Sequence, residues 1–225
     1  MTPSIMYRVI HCKRHEKRLA RFKASVGKAG LVVPRANCVD GSKWSDRKLC
    51  RLREEGILGS KKQLLKWERR NDDWDALSPV EIAINMSHLS VWRAFLASRK
   101  QYLCVFEDDV RVAKTFRTLL ECILMDEKAN RFDVLHLING NWEGTIGAQS
   151  KVTTIACPTS SGGTTRLEIR RETTRYCAGA ACYLLNRRFA QYLVDNILPV
   201  RMPVDNFVGQ LPLTRFRHYT LRTRR

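Results

Sequence analysis

The sequence predicts an α/β fold in which helices flank a mostly parallel sheet. Short apolar runs of strand length alternate with longer stretches of helical periodicity, and the first three segments follow a β-α-β order. One run, LCVFEDDV at Leu103–Val110, passes abruptly from apolar residues to three carboxylates. That pattern is typical of a buried strand whose carboxyl end faces a ligand crevice. With 225 residues, we expect a single domain over 1–225.

The first elements form the β-α-β unit. Ile5–Cys12 is predicted as a strand and His15–Gly30 as a helix, which Gly30 ends. A second short strand is predicted within Val32–Gly41, closing in an Asp-Gly turn. A parallel sheet with crossover helices accommodates this order. The helix is indicated by apolar residues at helical spacing, namely Leu19, Phe22, Val26 and Ala29.

The next segment contains the weakest and the clearest helix signals. Ser45 is predicted to cap a helix that ends near Glu55, and residues 43–76 together form either a mobile insertion or a solvated helical face. Ser78, followed by proline and then by Glu81, forms a capping box. The apolar stripe that follows predicts a helix to about Ser98.

The second half of the chain continues the alternation. After the strand at Leu103–Val110 we predict a helix over 115–128 and a buried strand over 132–138 that closes in an Asn-Gly turn. Residues 141–174 are polar and rich in Gly, Ser and Thr, which indicates a substrate-covering active-site loop, a linker or a hairpin. A strand over Tyr176–Leu185 and a helix over Phe189–Ile197 follow. Pro199–Gly209 is predicted as a loop, and 210–225 as a basic tail.

Charge and cysteine content narrow the class of protein. The chain has 40 Lys and Arg against 22 Asp and Glu, a net charge of +18, which favours polyanionic partners: nucleic acid, an anionic membrane surface or phosphorylated substrates. Its eight cysteines are scattered without metal-ligand spacing, and the N-terminus lacks a secretory pattern. We therefore expect reduced thiols and a cytoplasmic protein, held peripherally at the inner face of a membrane if the acceptor lies there.

The three carboxylates at Glu107, Asp108 and Asp109 favour one chemistry. Adjacent like charges are costly to desolvate unless a cation lies among them, and oxygen ligands suit Mg²⁺ or Mn²⁺ bridging a substrate's phosphates. The alternative is a solvated acidic turn. From these residues alone, both interpretations stay open.

Four blocks of the sequence resemble glycosyltransferase family 25, which includes bacterial lipo-oligosaccharide galactosyltransferases and collagen galactosyltransferases. The blocks span most of the chain. Two are specific, whereas His11 and Val80 depart from the family's pattern. In chain order the blocks read YRVIHCKRHEKRLARF with the later VDG, LSPVEIAINMSHLSVW, YLCVFEDDV, and AGAACYLLNRRFAQYLVDNILPVRMPVDNFV.

The resemblance implies a GT-A-like, Rossmann-like fold and a metal-dependent transfer of a sugar, most often galactose, from a UDP-sugar. Mn²⁺ or Mg²⁺ is the implied cofactor. The acceptor would be a hydroxyl of a glycan, a lipo-oligosaccharide in lipopolysaccharide biosynthesis or a hydroxylated protein. The resemblance also implies that the transfer inverts the configuration at the sugar, as is usual in the family. No specific nucleic acid is expected as a partner.

Site residues follow from the matched blocks. We expect Asp109 to ligate the metal, and Glu107 to bind the metal or a ribose hydroxyl, while Asp108 hydrogen-bonds within the scaffold. Asp205 is the candidate general base, and Glu81 is the alternative, although each has a simple structural role as a turn or capping residue. Departure of UDP would be assisted by the cation and nearby Lys or Arg.

Four further residues are predicted around the donor. His11 and Arg18 are placed near uracil or phosphate, with a solvated basic helix as the alternative for Arg18. His88 is given a supporting role near the donor, and Gly179 permits close approach of the backbone to the sugar or simply packs tightly.

Two other functions compete with the transferase. One is a basic polyanion- or nucleic-acid-binding protein, although no recognition motif for nucleic acid is found. The other is a catalytically silent family member that serves as a binding module. Hydrolysis of a UDP-sugar would separate the enzyme from the module, and salt-dependent binding of oligonucleotides would identify the first competitor.

Overall fold

The predicted α/β class is confirmed by the computed structural model, which describes residues 3–60, 77–127, 130–137, 152–158, 163–171, 179–209 and 215–223. Within these residues eight strands form one sheet with helices packed on it. The strands are β1 Ile5–Ile10, β2 Arg35–Ala36, β3 Tyr102–Glu107, β4 Val134–His136, β5 Val152–Pro158, β6 Thr164–Arg171, β7 Cys182–Asn186 and β8 His218–Thr223. The helices are α1 Glu16–Lys28, α2 Asp46–Glu54, α3 Pro79–Ala97, α4 Phe116–Met125, α5 Arg187–Asn196 and α6 Val204–Gly209.

The sheet is mixed, with parallel pairings around β1 and between β4 and β8. Its strand order is β2-β1-β3-β7-β4-β8-β6-β5. β1 pairs in parallel with both β2 and β3, and β4 pairs in parallel with β8. β7 lies antiparallel between β3 and β4, and β5, β6 and β8 are joined by antiparallel pairings. The crossover order therefore brings the ends of β1 and β3 to the same edge of the sheet.

β3 lies at the centre of the core because both of its faces are covered. Cys104 and Phe106 point into the apolar cluster formed with α1 and α4. Leu103 and Val105 point to the opposite cluster, formed with α3 and α5. The alternation follows from the two-residue period of a strand, and burial on both faces explains why β3 is apolar from Leu103 to Phe106.

The two long N-terminal helices form where their sequence signals predict. α1 buries Leu19, Phe22 and Val26, and the chain leaves it through Gly30, which has a φ of +65°. In α3 the capping box is present, because Ser78 accepts from the backbone N–H of Glu81 while Glu81 accepts from that of Ser78. α2 is likewise capped by Ser45. The remaining part of the predicted insertion, 61–76, lies outside the described residues.

Two predictions for the second half of the chain need correction, and the structure decides between the alternatives for part of a third segment. Pro199–Gly209 is not entirely loop, because Val204–Gly209 forms α6 and buries Val204 and Val208 one helical turn apart. The basic tail contains β8, which lies between β4 and β6. Residues 152–158 and 163–171 of the predicted loop form a hairpin of β5 and β6, the third of the proposed alternatives. The active-site loop cannot be judged over 141–151, which lies outside the described residues.

Cysteine pairing also differs from expectation. Cys122 on α4 and Cys157 on β5 form a disulfide, so the prediction of uniformly reduced thiols is wrong for this pair. The bond joins α4 to β5, the terminal strand of the sheet. Among the described residues, none of the helices has the length and apolarity needed to cross a membrane.

Candidate functional site

The acidic run lies at the carboxyl end of β3, as predicted, but it divides at the strand's last residue. β3 ends with Glu107, and Asp108 and Asp109 belong to the turn that follows. Because Asp109 lies beyond the strand, the two-residue alternation of an extended chain does not apply between Glu107 and Asp109. The turn directs each of the three carboxylates to a different environment.

Asp108 is buried and bonded within the scaffold, as predicted. The Nδ1–H of His11 donates to Oδ2 of Asp108 at 2.6 Å, and Nη1 of Arg18 lies 3.7 Å from Oδ1. His11 is itself buried, and its Nε2 lies 3.3 Å from Oε1 of Glu16. Both ring nitrogens thus have protein partners, and a contact between His11 and a nucleotide stays a prediction.

Asp109 is the exposed member of the acidic run, with 54% of its side chain accessible. Nη1 of Arg18 lies 3.7 Å from Oδ2 of Asp109, so one guanidinium faces both aspartates. Partial burial, followed by the charge of Glu107, raises the pKa of the Asp109 carboxyl. Asp109 therefore lies within electrostatic reach of Glu107, in a place where an added positive charge would favour the ionised carboxylate.

A cavity of about 320 Å³ opens beside Glu107 and collects four of the predicted residues. Glu107 comes from β3, Glu81 from the first turn of α3, and Asp205 from α6. Gly179 closes one side with a φ of +104°, in the left-handed region that favours glycine. The remaining lining residues are Ile84, Ala180, Ala181, Pro203 and Val204. His11, Arg18 and Asp109 are not among the lining residues and lie on the α1 side of Glu107.

Asp205 is held at the cavity by the start of α6. Its Oδ1 accepts from the backbone N–H of Asn206 at 2.8 Å. Desolvation raises the pKa of the Asp205 carboxyl, the Asn206 bond opposes this, and the charges of Glu107 and Glu81 add to the rise. Asn85 on α3 holds the loop that precedes α6 in place, because its Nδ2 donates to the carbonyl of Met202 at 3.2 Å.

Glu81 is more firmly engaged than Asp205. Its Oε2 accepts from the backbone N–H of Ser78 at 2.7 Å and from the Ser78 hydroxyl at 2.8 Å. The capping box therefore occupies one of the two carboxylate oxygens. The structure thus brings the two candidate bases, Asp205 and Glu81, to one cavity while leaving Asp205 less constrained.

Behind Glu107 lies a buried hydrogen-bonded chain that the sequence did not predict. The indole N–H of Trp92 donates to the hydroxyl of Tyr183 at 2.8 Å, and this hydroxyl lies 2.8 Å from Nδ1 of His88. Among the described residues, Nδ1 of His88 is the one acceptor within hydrogen-bond distance of the Tyr183 O–H, so we assign Tyr183 as the donor and the proton of the neutral imidazole to Nε2. That nitrogen lies 3.7 Å from Oε1 of Glu107 and has no hydrogen-bond partner among the described residues.

His88 and Trp92 lie one turn apart on the buried face of α3, which explains why both reach Tyr183. His88 was predicted only as a supporting residue. Tyr183 and Trp92 lie in blocks that resemble the family but were not predicted as site residues. The one local signal for Tyr183 was a hydroxyl inside the small apolar strand around it.

Within the described part of the chain, no group of three or more His, Cys, Asp or Glu side chains is placed to hold a metal ion by itself. The donor chemistry of Glu107 and Asp109 nevertheless suits a hard divalent cation, since both are carboxylates at a strand end. Partial burial and the negative charge of Glu107 raise the pKa of Asp109, and a divalent cation beside the two carboxylates would offset both effects.

Comparison with known proteins decides the family. The model of "Glycosyltransferase family 25 (LPS biosynthesis protein)" matches residues 6–208. The chain belongs to glycosyltransferase family 25. A search of the curated proteins found no match. As a member of this family the chain is a glycosyltransferase, which implies a sugar donor and a glycan or lipopolysaccharide acceptor. The matched segment contains every predicted site residue.

Proposed function

We propose that this family 25 protein transfers a sugar from a UDP-sugar, with galactose as the favoured sugar. The acceptor is a hydroxyl of a glycan or lipo-oligosaccharide, and the configuration of the transferred sugar is inverted. The observation that carries the proposal is the cavity at the end of β3, where carboxylates from three separate elements meet: Glu81, Glu107 and Asp205. A crevice at a strand's carboxyl end is where open α/β sheets bind ligands.

Mn²⁺ or Mg²⁺ is the proposed cofactor, with Asp109 and Glu107 as the residues that hold it. The cation would neutralise charge on the departing diphosphate. Arg18, which lies 3.7 Å from Asp109, supplies a second positive charge on the same side. The hydrogen-bonded chain of Trp92, Tyr183 and His88 places Nε2 of His88 3.7 Å from Oε1 of Glu107.

Asp205 is proposed as the base that removes the proton of the acceptor hydroxyl. Its Oδ1 accepts from the backbone N–H of Asn206, and no side chain is described as donating to the carboxylate. The raised pKa of its carboxyl moves the group towards the working pH of a general base. Glu81 is the alternative base, and its capping bonds to Ser78 count against it.

The proposal includes contact with an anionic membrane surface, because a net charge of +18 attracts one and a lipid-linked acceptor would lie there. Co-sedimentation with liposomes checks this part separately. Binding should increase with the fraction of anionic lipid. Sedimentation that does not depend on this fraction would remove membrane contact from the proposal.

Release of UDP from a panel of UDP-sugars, with Mn²⁺ and with or without lipo-oligosaccharide acceptor, tests the reaction. We expect UDP-galactose to be turned over by the wild type and the rate to fall about 100-fold or more in Asp205→Asn. A wild type that binds UDP but releases none from any donor would be a silent family member, and the proposed reaction would be rejected.

A further inference from the structure

Among the described residues, no strand covers the N-terminal half of the outer edge of β1. β2 has only two residues, and its register pairs it with Val9 and Ile10. The backbone N–H of Val9 also donates to the carbonyl of Pro34 at 3.1 Å. The N-terminal half of the strand, Ile5–Arg8, extends beyond this cover, although its opposite edge pairs fully with β3.

The direction of the free backbone groups follows from Val9. Alternate residues of a strand direct their N–H and C=O groups to the same edge, so Ile5 and Tyr7 share the edge of Val9. No strand of the described residues pairs with Ile5 or Tyr7 there. The carbonyl of Tyr7 accepts instead from Nη1 of Arg8 at 2.8 Å, a bond within the edge itself.

This free edge forms the floor of a groove of about 470 Å³, which we call the β1-edge groove. Val32 and Pro34 form one wall, and 86% of Val32 is accessible, which is unusual for so apolar a side chain. Ala94 and Ala97 at the end of α3 form the other wall and leave room because they are small. The residues that line it are Ile5, Met6, Tyr7, Arg8, Val32, Pro34, Ala94, Ala97, Ser98 and Lys100.

The charge of the β1-edge groove is positive. Arg8 and Lys100 line it, and none of its ten lining residues is acidic. Arg93 and Arg99 are exposed on the same end of α3. A second copy of this chain would bring the same cations to the groove in a molecule of net charge +18, so like charges oppose self-association through this edge. The charge therefore favours an acidic occupant.

We propose that the β1-edge groove binds an extended acidic segment of another protein, which adds a strand beside Ile5–Arg8. A polypeptide supplies the N–H and C=O groups that this edge lacks, which a lipid headgroup does not. Arg8 would exchange the carbonyl of Tyr7 for a carboxylate of the partner, and Val32 would be covered by an apolar side chain of the added strand.

The groove is remote from the donor cavity. Glu81 lies in the first turn of α3 and Ala97 is its last residue, so the two sites are roughly 24 Å apart along the helix at 1.5 Å per residue. A docked segment therefore leaves the cavity open. This inference does not depend on the proposed reaction.

The test uses a short capped peptide of alternating glutamate and valine as the probe, titrated into the full chain by fluorescence anisotropy. Two single substitutions, Arg8→Glu and Val32→Glu, change the groove, and Val32 is so exposed that its replacement spares the core. Arg47→Glu on the exposed face of α2 is the control for loss of net charge. One control peptide carries N-methyl groups on alternate amides, which removes its backbone donors. A second control peptide has lysine in place of glutamate, which reverses its charge.

We expect saturable binding that Arg8→Glu and Val32→Glu each weaken at least about tenfold, with Arg47→Glu close to wild type. N-methylation should abolish binding, and hydrogen exchange should show new protection at the amides of Ile5 and Tyr7. Absence of binding overturns the proposal. So does a result in which Arg8→Glu binds the peptide as tightly as wild type and wild type binds the N-methylated peptide as tightly as the unmodified one. Sedimentation showing a dimer that Val32→Glu dissociates would assign the edge to a second copy instead.

Discussion

Nε2 of His88 lies 3.7 Å from Oε1 of Glu107, while Nδ1 of the same ring lies 2.8 Å from the hydroxyl of Tyr183. The imidazole is fully buried, so it connects the core to the wall of the cavity. The indole N–H of Trp92 donates to the Tyr183 hydroxyl, and Nδ1 of His88 is the described acceptor left for the Tyr183 O–H. The ring thus presents an N–H, not a lone pair, towards the carboxylate that ends β3.

Tyr183→Phe should therefore affect both stability and activity. Without the hydroxyl, the buried indole N–H of Trp92 and Nδ1 of His88 lose their partner, which should lower the free energy of unfolding by about 1–3 kcal/mol. The His88 tautomer is no longer fixed, so kcat should fall while the protein stays folded. Urea denaturation and steady-state kinetics measure the two effects. Tyr192→Phe, at a half-buried ring packed on Phe216, is the matched control and should change neither.

Asp205 and Glu81 should be coupled in the pH profile. If Asp205 is the base, activity falls as pH decreases through its pKa, which burial and then the nearby carboxylates raise above 3.8. Glu81→Gln removes one of those charges and keeps a side chain that can cap α3, so the acidic limb of kcat/KM should move to lower pH. An acidic limb that does not move in Glu81→Gln, or that persists in Asp205→Asn, would assign the limb to another group.

The same carboxyl should oppose stability at neutral pH. Because the pKa of Asp205 is higher in the folded chain than its ordinary value of 3.8, the group stabilises the fold below that value and the contribution is lost as pH rises through the raised pKa. Asp205→Asn should thus melt at a higher temperature than wild type at pH 7, with a smaller difference at pH 4. Asp195→Asn, at an exposed position of α5, should show no such gain; an equal gain there would contradict the explanation.

Two buried histidines should govern acid stability. Desolvation lowers the pKa of His136 to about 4, and desolvation followed by the charge of His136 lowers that of His218 to about 3, against a smaller opposing effect of Asp133. Since both lie below 6.5, the unfolded chain takes up protons first, and stability present above pH 6.5 is lost as pH falls. Each histidine should cost roughly 2 kcal/mol between pH 7 and 5. Denaturant titrations of His218→Leu should show a shallower loss than wild type; an unchanged slope would contradict this assignment.

Gly41 should not tolerate a side chain, whereas Gly27 should. A Cβ on Gly41 would clash with the carbonyl oxygen of Pro79 at the start of α3, so Gly41→Ala must displace backbone beside Glu81. Gly27 lies in α1 with nothing within 4 Å of an added Cβ. Gly27→Ala should raise the free energy of unfolding by about 0.5–1 kcal/mol, and Gly41→Ala should lower both stability and activity. The reverse order of stability would contradict the packing around Gly41.

Local signals account for the elements that were predicted well. The capping box at Ser78 and Glu81 predicts the start of α3 because the two groups satisfy each other within one turn. β3 is recognisable because burial on both faces requires an uninterrupted apolar run. The carboxylates that follow it locate Glu107, whereas Glu81 and Asp205 were placed in the candidate centre by the resemblance of their blocks to glycosyltransferase family 25.

The elements that were missed depend on distant partners. β8 has basic residues among its apolar ones, and it forms because β4 and β6 pair with it on both sides. α6 follows a proline-rich segment that favours a loop, and its burial against the core decides otherwise. Tyr183 meets His88 across 95 positions of sequence, so no local pattern could pair them.

The central claim is that the carboxyl end of β3 binds a nucleoside diphosphate together with a divalent cation. Calorimetric titration of UDP tests this claim most directly. The proteins are wild type, Asp109→Ala and the control Asp195→Ala, each with and without Mn²⁺. The account predicts tight binding to wild type and control only with Mn²⁺, and loss of the Mn²⁺-dependent part in Asp109→Ala. UDP that does not bind, or that binds all three proteins equally with or without Mn²⁺, would contradict it.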